Sequence, residues 1–215
     1  NLLELFKDED NNGKFYNVTS APDTETPTAY FWENTSNTDL TQQGSGYVNR
    51  NYALLNLSNG IGTPAPRLGT TGKKPNGIVK PGQGFIMRAA ESGGSLTFKN
   101  SFRTTAVKID SIGGVYFKSG EATTDKFWLT LTTPNQMNVV IALAYHPEAE
   151  NSFERFDSMI FSEAVTENFY SLSSDERKLA IQSRKGDFNT EDKIPLGIKS
   201  SETGLQKISV ESKYG

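Results

Sequence analysis

The chain has 215 residues, a formal net charge of −3 at pH 7 and no cysteine, with 19 glycines and 9 prolines at short intervals. That balance excludes a phosphate-tracking nucleic-acid binder, which needs a basic stripe, and it excludes disulfides, thiolate metal sites and cysteine nucleophiles. No apolar stretch approaches the roughly 20 residues of a membrane-spanning helix, so the expectation is one all-β domain over 1–215, large enough for a sizeable core.

The first stretch, "LLELFKDEDNNGKFYNV", supports two readings with the same atoms. Asp8, Asp10 and Asn12 occupy positions 1, 3 and 5 of a calcium loop of EF-hand type, and Gly13 the position where the chain must bend sharply. Thr19 stands where the closing carboxylate belongs, so Asp23, Glu25 or a distant acid would have to complete the shell around calcium. Asn12-Gly13 is also the dipeptide of a type I′ turn, and "LLELF" and "KFYNV" then read as the two strands of a hairpin. The two readings are compatible.

Beyond it, "TAYFWEN", "YALLNLS", "GFIMRAA", "SLTFKN", "AVKIDSI", "GVYFKSG", "KFWLTLT" and "NVVIALAY" are β-rich and bounded by Gly, Pro, Asn or Ser, which predicts short strands in an antiparallel sandwich of jelly-roll type. In "YFWEN", successive side chains face opposite ways, so either Phe31 or the Tyr30/Trp32 pair points outward unless both faces are covered. Leu57 to Pro81 is the longest loop-like stretch, read either as a functional loop or as a long connection. In "PGQGFIM", Gly82 and Gly84 permit a bulge or positive φ at a strand start, and Phe85 and Met87 opposite Ile86 suggest burial from both sides. "SSDERKLAIQ" reads as a short helical turn, capped by Ser173 with Glu176 three residues on, running into a strand. "GDFNTEDK", with Asp187, Glu191 and Asp192, reads as a solvated turn.

Enzyme chemistry finds little purchase. The one histidine, His146, sits at the end of an apolar strand, with no nucleophile elbow, P-loop or dinucleotide fingerprint in the chain. The aromatics Tyr30, Trp32, Tyr47, Tyr52 and Trp128 suit a sugar-binding platform, because a pyranose face stacks on a flat ring while nearby polar groups bond its hydroxyls. The competing reading of each ring is core packing.

In their order and spacing, "YFW" (Tyr30 to Trp32), "PGQGF" (Pro81 to Phe85), "TFKNSFR" (Thr97 to Arg103), "FWLTL" (Phe127 to Leu131), "VVIALAY" (Val139 to Tyr145), the Phe169 to Gln182 stretch and "IPLG" (Ile194 to Gly197) form a series. The series resembles the β-sandwich region that precedes the C-terminal sorting domain in type IX secreted and cell-surface proteins of Bacteroidota. The chain departs from that pattern before Tyr30, where "FYNVTSAPDTETPTAY" replaces a "GNPYPS"-like turn. The resemblance implies secretion or cell-surface display and use of the type IX machinery by a longer parent protein. It implies little about ligand. The lack of an export leader and of an initiator Met agrees with the expectation of a fragment. The function expected is a noncatalytic module for adhesion or glycan binding, the alternatives being a structural spacer beside a sorting domain and, last, a glycan hydrolase.

Overall fold

The computed structural model describes residues 1–8, 10, 11, 26–33, 52–88, 95–104, 125–161 and 167–214. Among these the chain is nearly all β, with one short helix, α1 (Leu2–Lys7), and a 3-10 turn at Asn100–Phe102.

Two sheets carry the fold. The smaller contains β1 (Thr28–Trp32), β2 (Tyr52–Asn56), β3 (Gly62–Thr63) and β5 (Ile86–Met87) in the order β3-β2-β1-β5. The larger contains β4 (Arg67–Leu68), β6 (Lys126–Thr132), β7 (Met137–His146), β8 (Ser158–Met159), β9 (Asn168–Leu172), β10 (Lys178–Lys185), β11 (Leu196–Lys199) and β12 (Lys207–Tyr214). Its order is β11-β9-β10-β7-β6-β12, with β4 added on β7 and β8 on β10. Among the described strands the expected antiparallel pairing holds except between β7 and β10, which run parallel with Ile181 opposite Ala142. A parallel pair needs a long crossover, and residues 147–177, which include β8 and β9, supply it.

Alternation explains the layering. Tyr30 of β1 and its register partner Leu54 of β2 point at the larger sheet, where they meet Trp128, Val140, Ala142 and Ile181 in one buried cluster. Ala29, Phe31, Ala53 and Leu55 point the other way and are covered by Leu2 and Leu5 of α1. Both faces of "YFW" are therefore buried at Tyr30 and Phe31, 2% and 5% exposed.

The hairpin expected of "LLELF" is corrected. Leu2 and Leu5, three apart, form one helical face over the small sheet, and the side chain of Asn1 accepts Leu3 N–H at 3.1 Å as a cap. The Asn12-Gly13 turn itself lies outside the described residues.

Leu57 to Pro81 is a strap across the layers. Its β3 pairs with β2 in the small sheet, its β4 with β7 in the large one, and Gly77 O accepts Leu2 N–H of α1 at 2.7 Å. Gly62 lets it pack against itself, since a Cβ there would sit 2.6 Å from Pro75 O.

Three further expectations change. "SSDER" is the loop of the β9–β10 hairpin, with Leu172 opposite Lys178; Ser173 accepts Arg177 N–H at 3.0 Å, and Glu176 adopts φ +64°. Local hydrogen bonding by Ser173 serves a turn as readily as a helix cap. Gly82 has φ +82° as anticipated, and Phe85 and Met87 pack on the α1 side, but Ile86 on the opposite face is 44% exposed because β5 is an edge strand. Asp192 is an anchor within the supposedly solvated turn: Arg184 grips it with Nε and Nη2 at 3.0 and 2.7 Å, and Tyr145 OH donates at 3.1 Å. The Arg184 guanidinium holds the Asp192 carboxyl below its usual range, while burial and Asp192 push the Tyr145 phenol up to about 12.

Candidate binding site at the mouth of the inter-sheet cleft

The five aromatic candidates separate by depth. Trp128, 4% exposed, lies between the sheets, where its Nε1–H donates to Gly62 O at 2.9 Å and the Lys74 ammonium sits 4.4 Å from the ring centroid. Lys74 in turn pairs with Glu211 of β12 at 3.2 Å, so Trp128 is the point where the strap is pinned. Tyr30 is equally deep. Neither offers a ring face to solvent, and Tyr47 lies outside the described residues.

Trp32 and Tyr52 are brought together. They are register partners at the last residue of β1 and the first of β2, on the face that looks toward the large sheet. Trp32 is 39% exposed, and Tyr52 is half-buried. Phe161, just past β8, stacks on Tyr52 with centroids 4.1 Å apart and planes 26° apart, and meets Tyr30 edge-on at 5.0 Å.

A cleft opens here between the sheets, walled by Tyr52, Pro64 and Pro66 on one side and by Ile160 and Phe161 on the other, with Glu167 and Asn168 beside it. The Glu167 carboxylate is committed inward, accepting from Ser200 Oγ at 2.6 Å and Ser201 Oγ at 2.8 Å. Arg67, which follows the lining Pro66 in the chain, pairs with Glu33 at 3.6 Å, and Arg88 Nη2 donates to the O atom of the lining Phe161 at 3.3 Å. Flat rings with flanking polar groups can stack a sugar ring and bond its hydroxyls.

The metal candidates are placed in part. Asp8 and Asp10 converge on the Lys99 ammonium, at 2.7 and 2.9 Å, and their hydrogen bonds raise its proton affinity. Asn12 lies outside the described residues. Among the described residues, no three acidic, His or Cys side chains are gathered as a metal site. His146 Nδ1 accepts Glu148 N–H at 3.1 Å, and its ring packs on Phe156 at 4.5 Å.

Sequence reasoning passed over the polar counterpart of the aromatic rim. Asn56, fully buried, donates through Nδ2 to Arg155 O, Asp157 O and Ser158 Oγ at 2.8–3.2 Å and accepts Ser58 and Asn59 N–H through Oδ1. Asn59 adds Phe156 O and Ser183 Oγ as acceptors. The signal was present in "NLSNG": two asparagines flanking a turn, each able to fold the backbone onto its own side chain.

Among the described residues, fold and site together define a two-sheet, all-β protein with a cleft between the sheets whose lining includes Tyr52, Phe161 and Phe169. The chain belongs to DUF8693, a family described as a domain of unknown function, whose sequence profile matches residues 11–215. No curated protein and no solved structure matches it.

Proposed function

We propose that this chain is a noncatalytic module of a type IX secreted or cell-surface protein, and that it binds glycan at the Trp32–Tyr52 rim. The observation that carries the reading is the cross-strand register of Trp32, 39% exposed, with Tyr52, whose ring walls the cleft beside Phe161. A pyranose stacked on Trp32 gains the apolar contact that sugars offer through their C–H faces. We take the two sheets as a sandwich related to the jelly roll, with the parallel β7–β10 pair as its departure from that plan. Export by the type IX route rests on the ordered motif series from Tyr30 to Gly197.

The test is binding of the purified chain to an array of surface and extracellular polysaccharides, followed by titration of any hit. Trp32→Ala is expected to weaken that binding at least tenfold, while its melting curve stays close to that of the native chain. Unchanged affinity in Trp32→Ala, or a chain that unfolds on that change, would overturn the reading. The spacer alternative is favoured by a separate observation, the strap from Leu57 to Pro81 that ties both sheets and α1 together. It predicts no glycan hit and a high resistance to mechanical or thermal separation of the sheets.

A further inference from the structure

We propose that residues 147–157, the segment between β7 and β8, form an acid-tightened strap: one proton held by the Glu154–Asp157 carboxyl pair clamps it against β10, and loss of that proton loosens it. The segment is built into the fold, with Ala149, Phe156 and Asp157 at 0%, 5% and 1% exposure. Asp157 is its pin. Oδ1 accepts Ser183 N–H of β10 at 2.8 Å and Oδ2 accepts Glu154 N–H at 3.1 Å, so both oxygens are held by backbone donors.

Glu154 is the weak member. Its Oε1 is buried and has no hydrogen-bond partner, a costly place for a charge and a much cheaper one for a neutral carboxyl. Burial pushes Glu154 up to about 7 against the pull of the Phe156 N–H and Arg155, and burial with the Glu154 and Asp175 charges raises Asp157 well above the carboxylate range. Placing the proton on Glu154 removes the repulsion and leaves both Asp157 bonds intact.

The surrounding charges do not supply a substitute. On the segment itself, Arg155 pairs with Glu148 at 2.6 Å; from β10, Lys185 is taken by Glu150 at 3.0 Å. The β9–β10 turn brings Asp175, which accepts Phe153 N–H, and Arg177; β7 brings His146, and the β2–β3 turn only the neutral Asn56 and Asn59.

The sign follows from linkage. With the folded-state proton affinity raised, the native chain binds more protons than the unfolded one between about 4.5 and 7, so stability rises as pH falls through that window and is lost as pH climbs. Lys126, which burial lowers to about 8, acts in the opposite sense, adding stability as pH rises above that value.

Thermal melts of the whole chain at pH 5.5 and 8 test the strap, with side-chain carboxyl NMR titration alongside. The native Tm is expected to be about 3–5 °C higher at pH 5.5. Glu154→Gln should raise the pH 8 value toward that level and flatten the slope, leaving only what the burial of Asp157 itself contributes. His146→Gln, which leaves both carboxyls in place, is the control and should keep the slope. An unaltered slope in Glu154→Gln, a Glu154 titration midpoint in the ordinary carboxylate range, or a calcium-dependent Tm rise at pH 8 that Glu154→Gln removes would each overturn the proposal. Should Glu154→Gln fail to fold, the native midpoint decides.

Discussion

The two ends of β2 hold the same sheet to the rest of the molecule by different physics. At Asn56 the link is polar and fully buried, with three acceptors and two donors satisfied by one side chain. At Tyr52 it is a stack on Phe161 at the edge of an open cleft. Directional bonds fix register and tolerate no displacement, whereas a stacked ring can slide and still retain most of its contact. The Asn56 end is therefore the rigid one, and the Tyr52 end the softer.

Breaking the rigid end should have the largest effect. Asn56→Ala leaves the Arg155 and Asp157 carbonyls and the Ser58 and Asn59 amides without their partner, and a buried polar group left unpaired costs on the order of 1–3 kcal/mol. We expect about 3 kcal/mol in total, seen as a Tm lower by roughly 6–12 °C for a chain of this size. Asn56→Asp should be worse, because a carboxylate would face the carbonyls that the amide now serves. A Tm within 2 °C of native in Asn56→Ala would show that water replaces the side chain and that the two ends are equivalent after all.

The aromatic end should yield less. Tyr52→Leu keeps apolar volume beside Phe161 but removes the stack, for which about 0.5–1.5 kcal/mol is the usual scale beyond buried area. The expected Tm loss is about 2–5 °C, with glycan affinity falling further than stability. A Tm loss as large as that of Asn56→Ala would place Tyr52 among the core rings with Tyr30.

How much of this was legible in the sequence depends on the range over which each feature is determined. Strands such as "KFWLTLT" and "NVVIALAY" declare themselves by β-rich composition, and Gly82 announces its positive φ. Helix α1 does not, because its apolar positions 2, 3, 5 and 6 offer both the two-residue spacing of a strand (Leu3, Leu5) and the three-residue spacing of a helix (Leu2, Leu5). The parallel β7–β10 pair was hidden because partner choice is a long-range property, decided by the crossover through β8 and β9. The strap from Leu57 to Pro81 looked like a loop because its strands are two residues each and lie in different sheets. For the site, Trp32 and Tyr52 could be suspected as aromatic side chains, but their pairing could not, and Phe161 was invisible without β8 to position it.

A third kind of link, charge alone, gives the smallest effect and sharpens the contrast. Asp8 and Asp10 meet Lys99 on an exposed surface, where an ion pair contributes little and salt screens it. Lys99→Met should therefore move Tm less than either β2 change. It also tests the calcium reading of "DEDNNG", because the ammonium stands between the two carboxylates that a cation would need. Millimolar calcium is expected to leave the native Tm unchanged and to raise that of Lys99→Met, since a ligand selective for the folded state stabilises it by mass action. Asp10→Asn in the same background should remove the increment. If calcium raises the native Tm as much as that of Lys99→Met, the ammonium is no competitor, and the acidic turn is a cation site in its own right.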